Sequence, residues 1–455
     1  MKIYDTLTRS LAEITHSGSK VTMYCCGPTV YRDAHVGNLR TFLLSDLIRR
    51  TLELQGNSVV QIQNITDVGH MSEDFHDQDK LLTQAKLEKQ DPYAIARKYE
   101  EGFHLDTQAL NILPATGFPR ASDHITLMQE LISSLIAQGN AYIGSDKSVY
   151  FDAASYPGYG ELSGNKLDAL KPGHRYEYSD DDGKKFHADW ALWKSAGSRS
   201  EMVWESPWGL GFPGWHIECS AMSMKYLDAK IDIHVGGIDL RFPHHEDERA
   251  QSNSYLGREC VNLWVHGEHL LFEGRKMSKS AGNVVLIRDL ISRGFDPLAL
   301  RLVFLENRYR SQMDLTWETI AAANKTISRW RKLFSEVRGV EPQVNEEILE
   351  SLNDDLDTPQ VIQAIRKVEK SSDLTLEEKS AFVLYADKVL GLDLHRKPEV
   401  QLLTSELQKL IDDRAAAREA KDWDRSDALR KILESHGLVI QDSASGQEWS
   451  WADPK

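Results

Sequence analysis

The sequence predicts an α/β fold with a doubly wound parallel sheet, followed by a helical bundle and a small C-terminal domain. Residues 20–26 form a short β-prone run that a Gly-Pro turn breaks. Apolar residues at helical spacing continue from Asn38 to a stop at Gly56, before a second β-prone run over residues 58–64. Strand, glycine turn, helix and strand in this order are typical of a parallel βαβ unit.

Length and composition limit the class of protein. A chain of 455 residues is too long to fold around one hydrophobic core, and its length predicts two to four domains. The net charge of −15 argues against a general polyanion binder, but a local basic patch could still bind nucleic acid. No apolar run follows MKIYDTLTRS, so we expect no secretory signal, no membrane span and a cytoplasmic protein. The four cysteines are then expected to be free thiols or metal ligands.

The turn before the first predicted helix reads His35, Val36, Gly37, Asn38. Unpaired backbone N–H groups and the helix dipole attract phosphate to such a helix start, and glycine lets the phosphate approach closely. The same pattern also fits an ordinary surface turn with a solvated histidine.

A possible metal site lies in the middle of the chain. Cys219 falls in PGWHIECSAM, and His244 and Glu248 lie four residues apart in RFPHHEDERAQS. If that run is helical, His244 and Glu248 share one face, and zinc accepts thiolate, imidazole and carboxylate ligands. Alternatively, Cys219 is a small buried residue and the histidines and acids form a polar helix cap.

A lysine-bearing loop, FEGRKMSKSAGN, covers residues 272–283. Glycines at both ends allow it to fold over a ligand, and Lys276 and Lys279 could neutralise charge on phosphates. A solvated basic loop is the alternative.

The C-terminal part of the sequence has mainly helical periodicity. Helical periodicity over residues 317–338, 345–356, 359–371 and 376–390 predicts the bundle. The last segment predicts two helices ending near Gly437 and then a short β ribbon. It is locally basic around Trp423, an aromatic on which an unpaired base could stack, although a solvated helix with one packing tryptophan is the alternative.

These motifs together resemble a known family. The His-x-Gly-Asn turn and KMSKS are similar to the HIGH and KMSKS motifs with which class I aminoacyl-tRNA synthetases bind ATP. CGPTVY (26–31), GWHIECSAM (214–222), DIHVGGIDLRFPHHEDE (232–248) and KMSKSAGN (276–283) occur in the order of the cysteinyl-tRNA synthetase family. The resemblance covers nearly the full chain.

The resemblance implies a reaction and a set of site residues. Cysteine and ATP would give cysteinyl-adenylate and pyrophosphate, and the cysteine would then pass to the terminal adenosine of tRNA-Cys. One zinc ion per chain would bind the substrate thiol, and Mg²⁺ would accompany ATP. The implied residues are His35, Gly37, Asn38, Lys276 and Lys279 for catalysis, of which His35, Asn38 and Lys279 bind ATP; Thr66, Trp215 and His234 for substrate; and Cys26, Cys219, His244 and Glu248 for zinc.

Cys26 is chosen over Cys25 because the family cysteine directly precedes Gly-Pro. Strand alternation supports this choice, since neighbouring side chains point to opposite faces. His216 and Glu218, in the same GWHIE run as Trp215, are further candidates for the walls of the substrate pocket, although each could instead pack in the core.

The resemblance also implies a domain organisation. The Rossmann-type catalytic domain would comprise residues 1–104 and 206–311, and a connective insertion residues 105–205. The helical bundle would cover residues 312–398, and residues 399–455 would bind the anticodon. Arg418, Trp423, Asp427 and Asp442 are the implied base-reading residues.

Two positions depart from the family pattern. Asn38 replaces the last histidine of the HIGH motif, which keeps a hydrogen-bond donor but cannot become cationic. His70 lies in NITDVGHMSED, where many members read NITDIDDK, and no role for it can be derived.

The expected partners are tRNA-Cys, L-cysteine and ATP, and the expected state is a monomer. One rival interpretation is the cysteine ligase of mycothiol synthesis, which joins cysteine to an amino sugar and lacks the anticodon end. Another is a catalytically inactive paralogue that serves as a binding module, although the intact KMSKS motif and ligand set argue against it.

Overall fold

The computed structural model describes residues 1–15, 20–68, 79–167, 170, 183–277, 282–337, 339–397, 405–436, 438–443 and 446–451. An N-terminal hairpin of β1 (Lys2–Asp5) and β2 (Ser10–Glu13) precedes the parallel sheet. No helix in these ranges is both long and apolar enough to cross a membrane.

The first parallel unit follows the predicted order. It consists of β3 (Val21–Cys25), α1 (Val36–Leu54) and β4 (Val59–Gln63). The helix begins two residues before Asn38, because the side chain of His35 caps it by accepting the Asn38 N–H. Gly56 follows the helix with a φ of 86°, a conformation that glycine adopts without strain.

Two helices then lead away from the sheet, α2 (Lys80–Glu88) and α3 (Pro92–Ala109). Asp79 and Asp91 cap their N-termini through side-chain oxygens. α3 ends at Ala109, so the predicted boundary between residues 104 and 105 falls inside this helix.

The insertion is an α/β unit with an antiparallel sheet. Its elements are α4 (Ile125–Ala137), β5 (Ala141–Ile143), β6 (Val149–Phe151), β7 (Trp190–Ser195) and β8 (Gly211–Pro213), and the strands pair in that order. β8 lies beyond residue 205 and still pairs with β7.

The second half of the parallel sheet follows. It consists of α5 (Trp215–Tyr226), β9 (Ile231–Gly237), α6 (Glu246–Leu256) and β10 (Val261–Gly267), with a turn over Arg241–His245 before α6. The strands order as β10-β9-β3-β4, and all pairs are parallel. The predicted doubly wound sheet is therefore confirmed, and its direction of winding reverses between β3 and β9.

Helices cover both faces of this sheet. Met23 and Cys25 of β3 join the core that α1 covers, while Tyr24 and Cys26 face a second cluster that includes Cys219 of α5. This alternation separates the adjacent cysteines.

A small mixed sheet joins the half of the chain that holds the parallel sheet to the bundle. It contains β11 (Leu270–Phe272), β12 (Arg275–Lys276) and β13 (Met313–Leu315), with α7 (Ile287–Ser292) and α8 (Pro297–Leu305) between the last two strands. Fully buried Arg301 of α8 donates to Asp46 of α1 at 2.6 Å. The orientation of α1 is thereby tied to the helices that follow.

The predicted bundle is also confirmed. Its helices are α9 (Trp317–Phe334), α10 (Glu346–Asn353), α11 (Thr358–Lys370) and α12 (Leu376–Leu390). The C-terminal domain contains α13 (Ser405–Glu419), α14 (Trp423–Ser435) and the ribbon β14 (Leu438–Ser443) with β15 (Gly446–Trp451), as predicted.

Candidate active site and metal centre

A crevice opens at the carboxyl ends of the parallel strands, where β3 and β9 diverge. Ligands of doubly wound sheets bind at this position, because the helices that follow the two strands leave on opposite sides. A cavity of about 280 Å³ lies here, between the residues after β3, the start of α1, Gly237 at the end of β9, and β7 of the insertion. Its basic lining residues are Arg32, Lys80, Lys184 and Lys194, and its acidic ones are Asp33 and Asp239. The excess of basic groups suits an anionic ligand.

The His35 turn is built as a reciprocal helix cap. His35 Nδ1 accepts the Asn38 N–H at 3.2 Å, and Asn38 Oδ1 accepts the His35 N–H at 3.2 Å. Burial and the nearby Arg32 lower the pKa of His35 to about 4, so the ring is neutral and can accept this bond at neutral pH. The asparagine that replaces the family histidine therefore stabilises the turn itself.

The KMSKS segment touches this turn through Met277. A Cβ added to Gly37 would stand 2.9 Å from Met277 Cε and 3.0 Å from the His35 ring, so any larger residue requires these side chains to shift. Val36 N–H also donates to the carbonyl of Val285, beyond the loop, at 3.0 Å. Lys276 is exposed, whereas Lys279 lies outside the described residues, as does His70.

Four donor side chains predicted as metal ligands converge behind the cavity. Cys26 Sγ lies 4.0 Å from Cys219 Sγ and 3.6 Å from Glu248 Oε1, and His244 Nε2 lies 2.9 Å from the same Glu248 oxygen. All four are buried, and one donor atom from each falls within 4.8 Å of the others. Cys25 lies on the opposite face of β3.

A second donor set shares two of these residues. His234 and His245 converge with Cys26 and Glu248 within the same distance limit. Cys26 Sγ is 3.3 Å from His245 Nε2, and His234 Nε2 is 3.0 Å from Glu248 Oε2. Sequence reasoning assigned His234 to the substrate pocket and omitted His245. The only sequence signal for His245 was its place beside His244.

The cluster has a polarised charge distribution. Burial opposes ionisation of Cys219, but the bond from Cys26 and the contact with His244 lower its thiol pKa to about 6. Burial likewise opposes ionisation of Glu248, but His234 and His244 lower its pKa to about 2. Burial raises the pKa of Cys26 well above its usual range, and Cys219 raises it further. The site thus presents a thiolate and a carboxylate to any cation.

The predicted substrate residues lie around this cluster. Thr66 Oγ1 donates to Glu218 Oε2 at 2.8 Å, both groups being buried. Trp215 lines the cavity, and its ring centroid is 4.4 Å from that of His244. His234 lies deeper, stacked on Trp264 at 4.5 Å. His216 is buried and pairs with His244, Nδ1 to Nδ1, at 2.8 Å.

The candidate base-reading residues occupy the C-terminal domain. Trp423 is 56% exposed, and the Arg418 guanidinium lies 5.8 Å from its ring centroid. Asp442 accepts from Arg414, Arg418 and Arg430. Asp427 is exposed one helical turn after Trp423. Asp442 is therefore engaged by arginines, whereas Trp423 presents an open face.

Two family models match the chain. Residues 13–325 match the model described as tRNA synthetases class I (C) catalytic domain. Residues 401–449 match the model described as cysteinyl-tRNA ligase anticodon binding domain.

Curated relatives match over the full length. The cysteine–tRNA ligase of Thermus thermophilus is 39% identical over 477 aligned positions, which cover 98% of each chain. That of Treponema denticola is 35% identical over 491 positions, which cover 99% of each chain.

A solved structure shows the same type of fold. A methionyl-tRNA synthetase of Mycobacterium tuberculosis, in complex with methionyl-adenylate, superimposes with a TM-score of 0.55 at 17% identity. The match covers 82% of this chain and 90% of that one, and it bears on the fold alone.

Proposed function

Because the chain belongs to the cysteine–tRNA ligase family of class I aminoacyl-tRNA synthetases, we propose that it joins L-cysteine to tRNA-Cys at the cavity between β3 and β9. One observation carries the assignment of the site: a buried cluster of two thiols, an imidazole and a carboxylate adjoins a basic cavity at a helix N-terminus. The enzyme activates the amino acid with ATP. The reaction therefore needs both the donor cluster, which would hold the amino acid, and the basic cavity, which would hold ATP.

The donor set fits zinc. Zinc–sulfur bonds of about 2.3 Å in a tetrahedral shell separate two sulfurs by about 3.8 Å, close to the 4.0 Å between Cys26 Sγ and Cys219 Sγ. Cys26, Cys219, His244 and Glu248 would hold the ion, with His234 and His245 beside it. Bound zinc would supply a soft Lewis acid that favours a thiolate over a hydroxyl. This preference would distinguish cysteine from serine, which is nearly the same size.

The first half-reaction requires positioning more than covalent chemistry. The cysteine carboxylate attacks the α-phosphorus of ATP, the bond to the β-phosphate oxygen breaks, and pyrophosphate leaves with that electron pair. The positive end of the α1 dipole and the basic wall of the cavity would hold the phosphates. Because its pKa is lowered, His35 is neutral at pH 7. The neutral ring caps the start of α1 and adds no charge of its own to the phosphate site.

The KMSKS loop would complete the phosphate site. Lys276 and Lys279 are proposed to neutralise the leaving pyrophosphate together with Mg²⁺. The packing of Met277 on Gly37 supports the proposal, because it ties the base of the loop to the nucleotide turn. Trp215 and Thr66 are proposed to position the amino acid.

In the second half-reaction, a hydroxyl of the terminal tRNA adenosine attacks the activated carbonyl, and AMP leaves. The C-terminal domain is proposed to select the tRNA by its anticodon. Trp423 supports this role through its exposed ring, and Arg418 lies beside that ring. Asp427 remains a proposed base-reading residue, and Asp442 is proposed to hold Arg418 in place. The match of residues 401–449 to an anticodon-binding model favours the ligase over the amino-sugar enzyme, which lacks this end.

The cellular setting is also proposed. We expect a monomer in the cytoplasm, and light scattering of the purified protein tests it. The proposed domain boundaries are those predicted from the sequence, except that the insertion extends to Pro213, where β8 pairs with β7.

A charging assay tests the function. Cysteine-dependent exchange of pyrophosphate into ATP should occur without tRNA, and labelled cysteine should attach to tRNA-Cys but not to an amino sugar. Attachment to the amino sugar alone would favour the rival ligase, and absence of exchange would favour the inactive paralogue.

A further inference from the structure

One segment of the insertion lies along α6, the helix that contains the proposed metal ligand Glu248. We call residues 156–163 the clamp segment. Its Ser163 N–H donates to Glu246 Oε2 at 2.7 Å, and its Gly158 carbonyl accepts from Arg249 at 3.1 Å. Tyr156 accepts from Asn253 at 2.8 Å. The clamp segment thus engages several residues along one face of α6.

Tyr159 connects the clamp segment to a proposed metal ligand. Its hydroxyl donates to Asp247 Oδ1 at 2.6 Å. The other oxygen, Oδ2, faces His216 Nε2 at 3.4 Å. His216 Nδ1 then meets His244 Nδ1 at 2.8 Å, and His244 Nε2 points to the cluster, 2.9 Å from Glu248.

These contacts fit one tautomer of each ring. A carboxylate at Asp247 favours the proton of His216 on Nε2, which leaves His216 Nδ1 as an acceptor. His244 must then donate from Nδ1, so the lone pair of its Nε2 faces the proposed ion. Groups that orient a ligand in this way typically change metal affinity about 10- to 100-fold when removed.

We propose that Tyr159 and Asp247 are positioning residues for the metal centre, through which the insertion controls how firmly the ion is held. The inference rests on the proposed function, since it assumes that the cluster binds zinc. The insertion then does more than enclose the cavity: it fixes His244 from behind.

Tyr159→Phe isolates the hydroxyl. The ring stacks on Trp190 at 5.5 Å, and phenylalanine preserves that contact. Tyr142→Phe is the matched control, because Tyr142 also donates to a buried aspartate of the insertion, Asp189, at 2.5 Å, away from α6. Asp247→Asn provides a second variant that removes the carboxylate while keeping its shape.

The assay follows zinc release from the full-length, zinc-loaded protein into excess chelator with a coloured indicator. We expect release to accelerate about 10-fold or more in Tyr159→Phe and Asp247→Asn, and to stay within about twofold of wild type in Tyr142→Phe. At limiting zinc, both site variants should show a raised KM for cysteine and an unchanged KM for ATP, and added zinc should restore the former. The visible spectrum of cobalt-substituted Tyr159→Phe should also shift, since it reports ligand geometry.

Equal release rates for Tyr159→Phe, Asp247→Asn and Tyr142→Phe would overturn the inference while leaving zinc binding intact. A wild-type protein that retains no metal would instead remove the proposed zinc site, and the inference with it. A loss of melting temperature common to Tyr159→Phe and Tyr142→Phe, with no difference in release, would assign Tyr159 a purely structural role.

Discussion

Gly37→Ala tests whether the His35 turn and the KMSKS segment, both proposed to bind ATP, act as one packed unit. The new Cβ would lie 2.9 Å from Met277 Cε and 3.0 Å from the His35 ring, against ordinary contacts of 3.4–4 Å. Met277 is buried and must move by about half an ångström, at a cost of about 0.5–1.5 kcal/mol if it leaves its rotamer. Displacing His35 weakens a helix cap worth about 1 kcal/mol.

The two costs together amount to about 0.5–2.5 kcal/mol, which corresponds to a factor of about 2–70. We expect this factor as a loss of kcat/KM for ATP in cysteine-dependent pyrophosphate exchange, with little change in KM for cysteine. Gly102→Ala is the control, since its added Cβ meets nothing closer than Asp33 Oδ1 at 3.5 Å.

A double variant sharpens the test. Met277→Ala in the Gly37→Ala background removes one of the two clashes, so it should recover part of the lost kcat/KM. An unchanged kcat/KM in Gly37→Ala, or purely additive losses in the double variant, would refute the packing argument.

The remaining predictions concern the metal, selectivity, the C-terminal domain and pH. Purified protein should contain one equivalent of zinc, and Cys219→Ser should raise KM for cysteine far more than KM for ATP; metal analysis well below one equivalent would contradict this. Serine activation should be lower than cysteine activation by about 10⁴-fold or more without hydrolysis of mischarged tRNA, which adenylate assays and deacylation of Ser-tRNA check. Truncation after residue 397 should preserve pyrophosphate exchange and abolish most tRNA charging. Trp423→Ala should weaken tRNA binding by about 1–3 kcal/mol. Equal charging by the full-length and truncated chains would show that the C-terminal domain is not needed for charging. Burial and Asp33 raise the pKa of Asp106 to about 6. Its ionisation therefore opposes folding as pH rises from the unfolded pKa of about 3.9. Asp106→Asn should raise the melting temperature more at about pH 7.5 than at about pH 5, and an equal gain in calorimetry at both values would count against the shift.

The parallel sheet and the bundle could be predicted because their signals are local. Apolar periodicity and glycine turns define β3, α1 and β4 within two residues of the observed bounds. The start of α1 was missed by two residues, since the cap depends on the rotamer of His35.

The choice of Cys26 over Cys25 also had a local basis. Adjacent strand residues face opposite sides, and Cys26 shares its side of the sheet with Cys219. No local pattern, however, indicates which further residues reach that side. His245 and the second donor set emerge only when Cys26 after β3, His234 of β9, the turn before α6 and Glu248 of α6 meet.

The C-terminal domain shows the same division. Its basic composition and exposed tryptophan were visible in the sequence, but the pairing of Asp442 with three arginines was not. That pairing joins a ribbon strand to two helices, so its partners lie between 12 and 28 residues away along the chain.

The sequence by itself determined the order of elements, the family and the residue types of the site, because motifs and periodicity are properties of short segments. The tertiary structure alone decided which donors share one cluster, which oxygen of Glu248 each histidine contacts, and how Tyr159 reaches His244 through Asp247 and His216. Cys26, Cys219 and His244 meet only after the parallel sheet has formed. Tyr159 is connected to them only after the insertion packs on α6. Burial then turns their proximity into chemistry, since it strengthens each charge interaction that water would otherwise screen.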